Sequence, residues 1–487
     1  MIALSLLYLA FVCIFTIDQW DLGFLPSMIG RLKSGQTIYE DFDYVRPFFS
    51  IIFWDYILFF IPSTSEYFIL LCRFFVIVEC VIICVIIQKL IFYNVRLNVT
   101  LFFVISFLHT FPIMLWHTID GIFFGVISLY FYKRKLLLSS LIFLGFTALT
   151  KQSFFIFSLG IFFIVLKDLF KNFKYVKKDF FIFIIFLSLF AVSLYRYKII
   201  DNFQLFFNQV FSSTSSSGFY QSSIAPYFFE SKLKSILFIC FLLFVYCCNI
   251  KRELVNKILL IIFLLIVIYP VYFNGKYVGI HSVFLLLVVL FFKYDRENKF
   301  IFFLLFLNWS ASISWGYNIP VFLIFILVYR FIEQKNKFIL MLWMISLGSF
   351  LGYRLIYTYQ SENPLYSHYL ITKGMPSISG LFISEREYSY LIESRKIKEE
   401  YEDVVFLPGS PILDIINENF ITRASWEMDV EYPNWKNDFL KLKTNTVAID
   451  NQQFEIFKEG FYKSSFTVEM TKQKKIIKKT KYFTIYK

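Results

Sequence analysis

Apolar runs of 15 to 23 residues recur along this chain, at about 2–17, 67–89, 98–116, 119–133, 135–150, 152–168, 179–197, 233–249, 256–273, 277–293, 299–316, 318–332 and 338–356. Each is close to the roughly 20 residues that an α-helix needs to cross the hydrocarbon of a bilayer. A chain built this way reads as an α-helical polytopic membrane protein of about 13 transmembrane helices. The 58% hydrophobic and 17% charged composition, with 67 Phe and a mean hydropathy of +0.64, points the same way. The net charge of +13 would suit a nucleic-acid partner, but the basic residues lie in short clusters between apolar runs, as in the cytoplasmic loops of membrane proteins. Nucleic acid is therefore not expected as a partner, whereas membrane lipids are. Abundant Phe, Ile, Lys, Tyr and Asn suggests an AT-rich bacterial genome.

A further apolar run at 47–62 decides the topology. If it does not cross, one side of the membrane receives nineteen basic residues in the shorter loops, among them Lys89, Arg134, Lys171, Arg252, Arg296 and Arg330, and the other side receives nine. The positive-inside rule makes the first side cytoplasmic. The run starts at Pro47, spans about 16 residues and carries Trp54, Asp55 and Tyr56 at its centre, which suits a helix lying in the interface. The expectation is a plasma (inner) membrane protein with a cytoplasmic N-terminus, and with the first loop, Asp120 and everything after 356 outside the cytoplasm. Residues 2–17 lack a basic n-region and a small-x-small site before Asp18, so an uncleaved first span is expected.

Two domains follow from composition, a membrane domain at 1–356 and a charged, periplasmic α/β domain at 357–487. In the latter a helix is predicted from Ser384-Glu385-Arg386-Glu387 to about Glu400, with strands at 403–407 and 444–450. The basic tail from Lys472 to Lys481 reads as the wet face of a hairpin or as a patch that attracts anionic headgroups. The seven cysteines fall in or beside apolar runs and imply no disulfide framework; Cys247 and Cys248 read as buried helix residues before lipidation sites. The polar loop at 198–232, with Ser212 to Ser217, is long enough for a lid or a solvated connection.

Chemistry concentrates in the first outer loop, where Asp18, Asp21, Asp41 and Asp43 crowd together. Each alone reads as a solvated charge. A carboxylate just beyond a span, however, reaches both an acceptor hydroxyl in water and a phosphate at headgroup depth. Sugar transfer from a phosphate-linked donor needs such a base, and it needs cations or a divalent metal to stabilise the leaving phosphate. The run Asp21-x-Gly23-Phe24, then Gly35, Tyr39-x-Asp41-Phe42 and Pro47 resembles the first-loop pattern of the GT-C glycosyltransferases. The bacterial branch related to protein mannosyltransferases and to the aminoarabinose transferase of lipid A is the nearest in pattern. That resemblance implies juxtamembrane helices in the first loop, transfer from a polyprenyl-phosphate sugar to a glycan, lipid or protein acceptor, and inversion of the anomeric centre. It puts Asp21 at the catalytic base and Tyr39 and Asp41 among the substrate-positioning residues. Leu22 stands where an adjacent Glu is common, and Asp18 remains the alternative base.

The resemblance extends to Asp120 in His117-Thr118-Ile119-Asp120-Gly121, as a second acid that positions the acceptor or a metal, and to the Gly145–Lys151 turn, as a donor-phosphate site. Helix capping is the structural alternative for Asp120, and snorkelling the alternative for Lys151. Arg46 and Arg73 are further candidates for the phosphate, and His281 for orienting the donor, although a core histidine bonded to a carbonyl is its plainer reading. Glu79, on the span that carries Arg73, reads as part of a structural pair. The chain has no P-loop, H-E-x-x-H, C-x-x-C or G-x-S-x-G motif. The competing readings are a transporter or flippase of a lipid-linked glycan, marked by intramembrane charges along a path, and a polysaccharide polymerase or ligase of another fold with its chemistry in the 198–232 loop.

Overall fold

The structure, a computed structural model, describes residues 2–18, 21–92, 94–109, 113–171, 176–212, 223–228, 232–248, 250–272, 279–314, 317–332, 336–356, 364–372, 374–424, 426–429, 432, 435–460 and 462–487. Its N-terminal part is helical: α1 (Ile2–Ile14), α2 (Phe24–Lys33), α3 (Phe49–Ile57), α4 (Phe68–Ile91), α5 (Leu97–Leu108), α6 (His117–Lys133), α7 (Leu137–Ala148), α8 (Phe154–Lys171), α9 (Val176–Arg196) and α10 (Phe203–Ser212). It continues through α11 (Lys232–Cys247), α12 (Arg252–Tyr272), α13 (Ile280–Leu290), α14 (Lys299–Ser312), the short strands β1 (Ile313–Ser314) and β2 (Tyr317–Asn318), α15 (Ile324–Phe331) and α16 (Asn336–Ile356). Residues 213–222 of the polar 198–232 loop lie outside the described residues.

Helix α4 packs on α1, α5 and α6. Cys72, Val76, Cys80 and Cys84, all buried, recur at i+4 spacing along it. Small side chains in such a row let neighbouring helices approach closely. All seven cysteines are free thiols; contrary to expectation, Cys247 is exposed and Cys248 only half-buried.

Several helices, α1, α5, α7, α14 and α15 among them, are shorter than the apolar runs that contain them. Among the described residues only Phe68–Ile91 and Asp179–Arg196 are long and apolar enough to cross a membrane. Hydropathy counts residues whatever their conformation, and here helices stop inside the runs, before Thr16 (φ +62°) and the extended Ile313, or start inside them, as α13 does only after Gly279 (φ +77°). The run at 47–62 becomes α3, nine residues rising about 13.5 Å, under half of a hydrocarbon core. Its Trp54 and Asp55, expected in the headgroup region, are buried inside the protein.

Beyond 356 follow β3 (Tyr369–Leu370), β4 (Phe382–Ile383), α17 (Glu385–Glu400), β5 (Val405–Leu407), α18 (Pro411–Ile416), α19 (Trp435–Lys441), β6 (Val447–Asp450), α20 (Asn451–Phe457), α21 (Ser465–Gln473), β7 (Ile476–Lys479) and β8 (Phe483–Tyr486). Helix α17 starts where the sequence marks it. The Ser384 hydroxyl accepts from the Glu387 N–H, and the Glu387 carboxylate accepts from the Ser384 N–H, a reciprocal capping box. The main sheet has the order β5-β6-β8-β7, with β5 and β6 parallel and the other pairs antiparallel. Strand side chains alternate between its faces. Phe406, Ala448, Phe483 and Ile485 join the apolar core of the helical part, while Val405, Leu407, Val447 and Ile449 pack with Phe439, Phe466 and Met470.

Backbone contacts also link the two parts: Thr16 N–H donates to Phe382 C=O (2.8 Å), Tyr67 N–H to Pro376 C=O (3.0 Å) and Asp43 N–H to Arg423 C=O (2.8 Å). Backbone meets backbone at Gly23, where a Cβ would stand 2.6 Å from the Ile412 nitrogen. Backbone cannot yield there as a flexible side-chain end would. Gly23→Ala is therefore expected to destabilise the chain by about 1–3 kcal/mol, the usual cost of overpacking. A lowered melting temperature of the purified protein is the check.

Candidate functional site

The first loop begins where α1 ends, and Arg73 of α4 closes that end. Its guanidinium donates to the carbonyls of Cys13 (2.6 Å), Phe15 (3.2 Å) and Thr16 (2.7 Å), placing a cation on the negative end of the helix. Arg73 is thus committed to backbone carbonyls and is not gathered with the other proposed phosphate ligands. Asp18, next in the chain, is 2% exposed, and its carboxylate accepts from the Asp21 N–H at 3.1 Å. That bond turns the chain towards α2. Asp21 itself is half-buried and so is the more accessible of the two acids.

After α2 the chain reverses at Gly35, whose φ of +89° suits glycine. Asp41 closes the next turn, its carboxylate accepting from the Thr37 N–H at 2.6 Å. Tyr39 is fully buried, and its hydroxyl donates to the Arg46 carbonyl at 2.8 Å. Gln209 of α10 binds the same turn, accepting from Tyr44 N–H (2.9 Å) and donating to Tyr39 C=O (3.0 Å) and Asp43 Oδ1 (3.2 Å). The Tyr39-x-Asp41-Phe42 motif therefore acts as scaffold, holding Arg46 in place. Burial raises the Asp43 carboxyl above its ordinary range, against the pull of Arg423 beside it.

The turn between α7 and α8 meets this loop. Leu149 C=O accepts from Phe49 N–H at the start of α3 (2.9 Å), and the Gln152 side chain donates to Val45 C=O (2.6 Å) and Val210 C=O (3.2 Å). Lys151, 7% exposed, donates to the Thr118 hydroxyl at 3.2 Å. Arg46, Lys151 and His117 lie within electrostatic reach of one another. Burial, with the Arg46 charge added, pushes the Lys151 ammonium down to about 7. The His117 ring packs against Phe24 (5.6 Å) and Tyr44 (6.0 Å), and its buried Nε2 has no hydrogen-bond partner among the described residues. The sequence assigns His117 no role of its own. Its place three residues before Asp120, at the start of a helix facing the loop, was the available signal.

Asp120 is fully buried and accepts from Trp54 Nε1 of α3 at 2.9 Å. Glu79 of α4 adjoins it, so two carboxyl groups meet in the interior of the bundle. Asp120 thereby ties α3 to α6 and does not line the basic cluster. His281 of α13 sets its ring edge-on to Tyr227 at 4.9 Å.

The far wall of the loop comes from the C-terminal part. Trp426 stacks on Phe24 at 4.2 Å. Asp414 accepts from the Ser27 hydroxyl (2.9 Å) and pairs with the fully buried Arg31 (3.3 Å), which also donates to Thr422 C=O at 2.5 Å. Arg423 pairs with Asp43 at 2.9 Å. The loop is held between bundle and sheet by charges that find partners on both sides. Comparison of the chain with protein-family models, with curated proteins and with solved structures returned no match. The chemistry of the site therefore rests on its geometry. Among the described residues no group of three or more His, Cys, Asp or Glu side chains is disposed to hold a metal ion. The cations that converge are protein side chains.

Proposed function

We propose that this chain is an integral membrane glycosyltransferase that transfers a sugar from a polyprenyl-phosphate donor to a glycan, lipid or protein acceptor on the extracytoplasmic side of a bacterial plasma membrane, with inversion. The carrying observation is the convergence of Arg46, Lys151 and His117 beside the first loop, where Lys151 binds Thr118, Gln152 binds Val45 C=O and the His117 ring packs on Phe24, three residues after Asp21. Such a cluster suits a leaving phosphate, whose charge grows as the anomeric bond breaks. The membrane setting draws support from apolar side chains that point away from the protein, among them Phe181 (74% exposed), Leu237 (60%) and Leu265 (59%) on α9, α11 and α12. Continuous outward apolar faces of this kind are stable against lipid and costly in water.

In this mechanism Asp21 takes the proton of the acceptor hydroxyl as its oxygen attacks the anomeric carbon. The electron pair of the breaking carbon–oxygen bond passes to the phosphate, where Arg46 and Lys151 offset the charge and His117 Nε2 gives a third contact. Asp18, Tyr39, Asp41 and Arg73 hold the loop, and Asp120 holds α3 through Trp54. The direct test incubates membranes containing the chain with radiolabelled polyprenyl-phosphate sugars. Label passing to a non-lipid or new lipid product supports the reading, and label remaining wholly in the donor refutes it.

A pH dependence follows from Lys151. Below about 7 its ammonium is charged and binds phosphate; above it the neutral amine does not. The donor KM is expected to rise as pH increases through that value, with kcat changing less, and Lys151→Met should flatten the profile at a high KM. The second reading, a transporter of a lipid-linked glycan, is favoured by the buried Glu79–Asp120 pair, since carboxylates within a bundle often mark transport paths. Movement of labelled donor across proteoliposomes without any acceptor would select it.

A further inference from the structure

A cleft of about 740 Å³ opens beside the C-terminal ends of α2, α3 and α9. We propose that it is a carbohydrate subsite that holds the distal sugars of an oligosaccharide acceptor. The inference rests on the glycosyltransferase reading and narrows its acceptor class to glycans. The size falls within the range of small-ligand sites, roughly 300–1,000 Å³.

The lining is that of a site for polyhydroxylated ligands. Asp55, 3% exposed, is held by the Tyr197 hydroxyl, which donates to it at 2.5 Å, and by Arg196 at 3.6 Å. A rigid carboxylate beside a guanidinium offers the acceptor and the donors that adjacent sugar hydroxyls need. Arg196 is itself fixed, lying over the rings of Tyr56 (5.3 Å), Phe59 (5.1 Å) and Tyr197 (5.1 Å). Ser34, Thr37, Ser63 and Thr64 add neutral hydroxyls to the walls.

Aromatic faces stand at the rim. Phe60 is 90% exposed and Phe59 49%, packed edge-to-face at 4.9 Å. Exposed rings of this kind can stack on the C–H face of a pyranose. The charges of the cleft nearly balance, Lys33, Arg196 and Lys198 against Asp55 and Glu418, and the Lys33 ammonium already donates to Leu58 C=O (2.5 Å) and Ile61 C=O. A phosphate-rich ligand would want a larger excess of cations than this.

Position completes the argument. Asp21 lies before the start of α2 and the cleft lies at its end. Ten residues at the helical rise separate them by about 15 Å. The transferred sugar cannot occupy both places, and because α2 is enclosed from Phe24 to Arg31 an acceptor chain that reaches both must pass around that helix. Binding far from the reacting bond is a usual source of acceptor selectivity.

The test titrates the full chain, in nanodiscs of neutral phospholipid, with maltotetraose and with tetragalacturonate, using glucose as the monomer control. Saturable binding of a tetrasaccharide, at least about tenfold tighter than the monomer, is expected. Phe60→Ala, at a position too exposed to matter for folding, should weaken it about tenfold with an unchanged melting temperature, and Asp55→Asn at least as much. Equal binding by wild type and Phe60→Ala, or no saturable binding of either tetrasaccharide, overturns the proposal. So does a Phe60→Ala defect confined to adsorption on vesicles of anionic phospholipid, which would make the rings a membrane anchor. Retained binding without any transfer by the wild type would refute the enzyme reading alone, and transfer without binding would refute the cleft alone.

Discussion

Asp21→Asn is expected to lower sugar transfer by about 10²–10⁴-fold, the range that a positioned general base contributes. The asparagine keeps the size of the side chain and leaves intact the Asp21 N–H that donates to the Asp18 carboxylate, so the turn into α2 should survive. What disappears is a carboxylate oxygen able to accept a proton. The measurement compares label transfer by wild-type and variant membranes at matched protein levels, with the melting temperature of the purified variant as the folding control. A variant that transfers at the wild-type rate removes Asp21 from the mechanism. Asp18 would then have to be reconsidered, although its 2% exposure and its bond to the turn argue for a holding role.

The second large effect concerns stability. Arg31→Met should cost about 3–5 kcal/mol, because it leaves a largely enclosed carboxylate at Asp414 without its cation. The side chain of Arg31 is fully enclosed, and its other bonds, to Thr422 C=O and to Gln36 Oε1, would also be lost. Limited proteolysis should then cut the chain between α18 and α19 far faster than in wild type, and thermal melting should begin at lower temperature. Removing both charges in Arg31→Met/Asp414→Leu should restore much of the loss, since an apolar pair of similar volume often replaces a buried ion pair without penalty. Unchanged melting in the single variant would mean that water reaches Asp414 and that the pair contributes little.

Both predictions turn on the first loop, and the two differ in how far the sequence exposed them. Asp21 was visible because its signal is local: an acid just after an apolar run, followed at fixed spacings by glycine, tyrosine and proline. The loop conformation bears on those spacings, with Gly35 in the left-handed region and the Asp41 carboxylate closing its own turn. The Ser384–Glu387 capping box was legible for the same reason, being complete within four residues. Arg31 gave no comparable signal. It reads as one more charge near the end of an amphipathic helix, and its partner lies 383 positions further along the chain.

The same contrast separates the basic residues. Lys151 stood out as a lone charge between two apolar runs, and the structure sets it near Arg46. Arg73 looked similar in the sequence, yet its guanidinium caps α1, because the end of a helix presents carbonyls that only the tertiary arrangement brings into range. Asp120 invited a catalytic role by position and is instead enclosed beneath Trp54. Several helices are shorter than their apolar runs for a related reason. Apolar composition continues through residues whose backbone has already left the helix, as at Thr16, or has not yet entered it, as at Gly279.

The amino-acid sequence alone determined what depends on neighbours along the chain: a mainly helical body, a charged region with strands after residue 356, the acidic opening loop and its turns. Hydropathy, turn residues and capping act over a few positions, so they can be read without coordinates. Only the tertiary structure decided which charges meet, namely Arg31 with Asp414, Arg423 with Asp43, Glu79 with Asp120, and Arg46 with Lys151 and His117. Electrostatic and hydrogen-bond energies depend on distance in space and on burial, and neither quantity is written in the spacing of residues far apart in the chain.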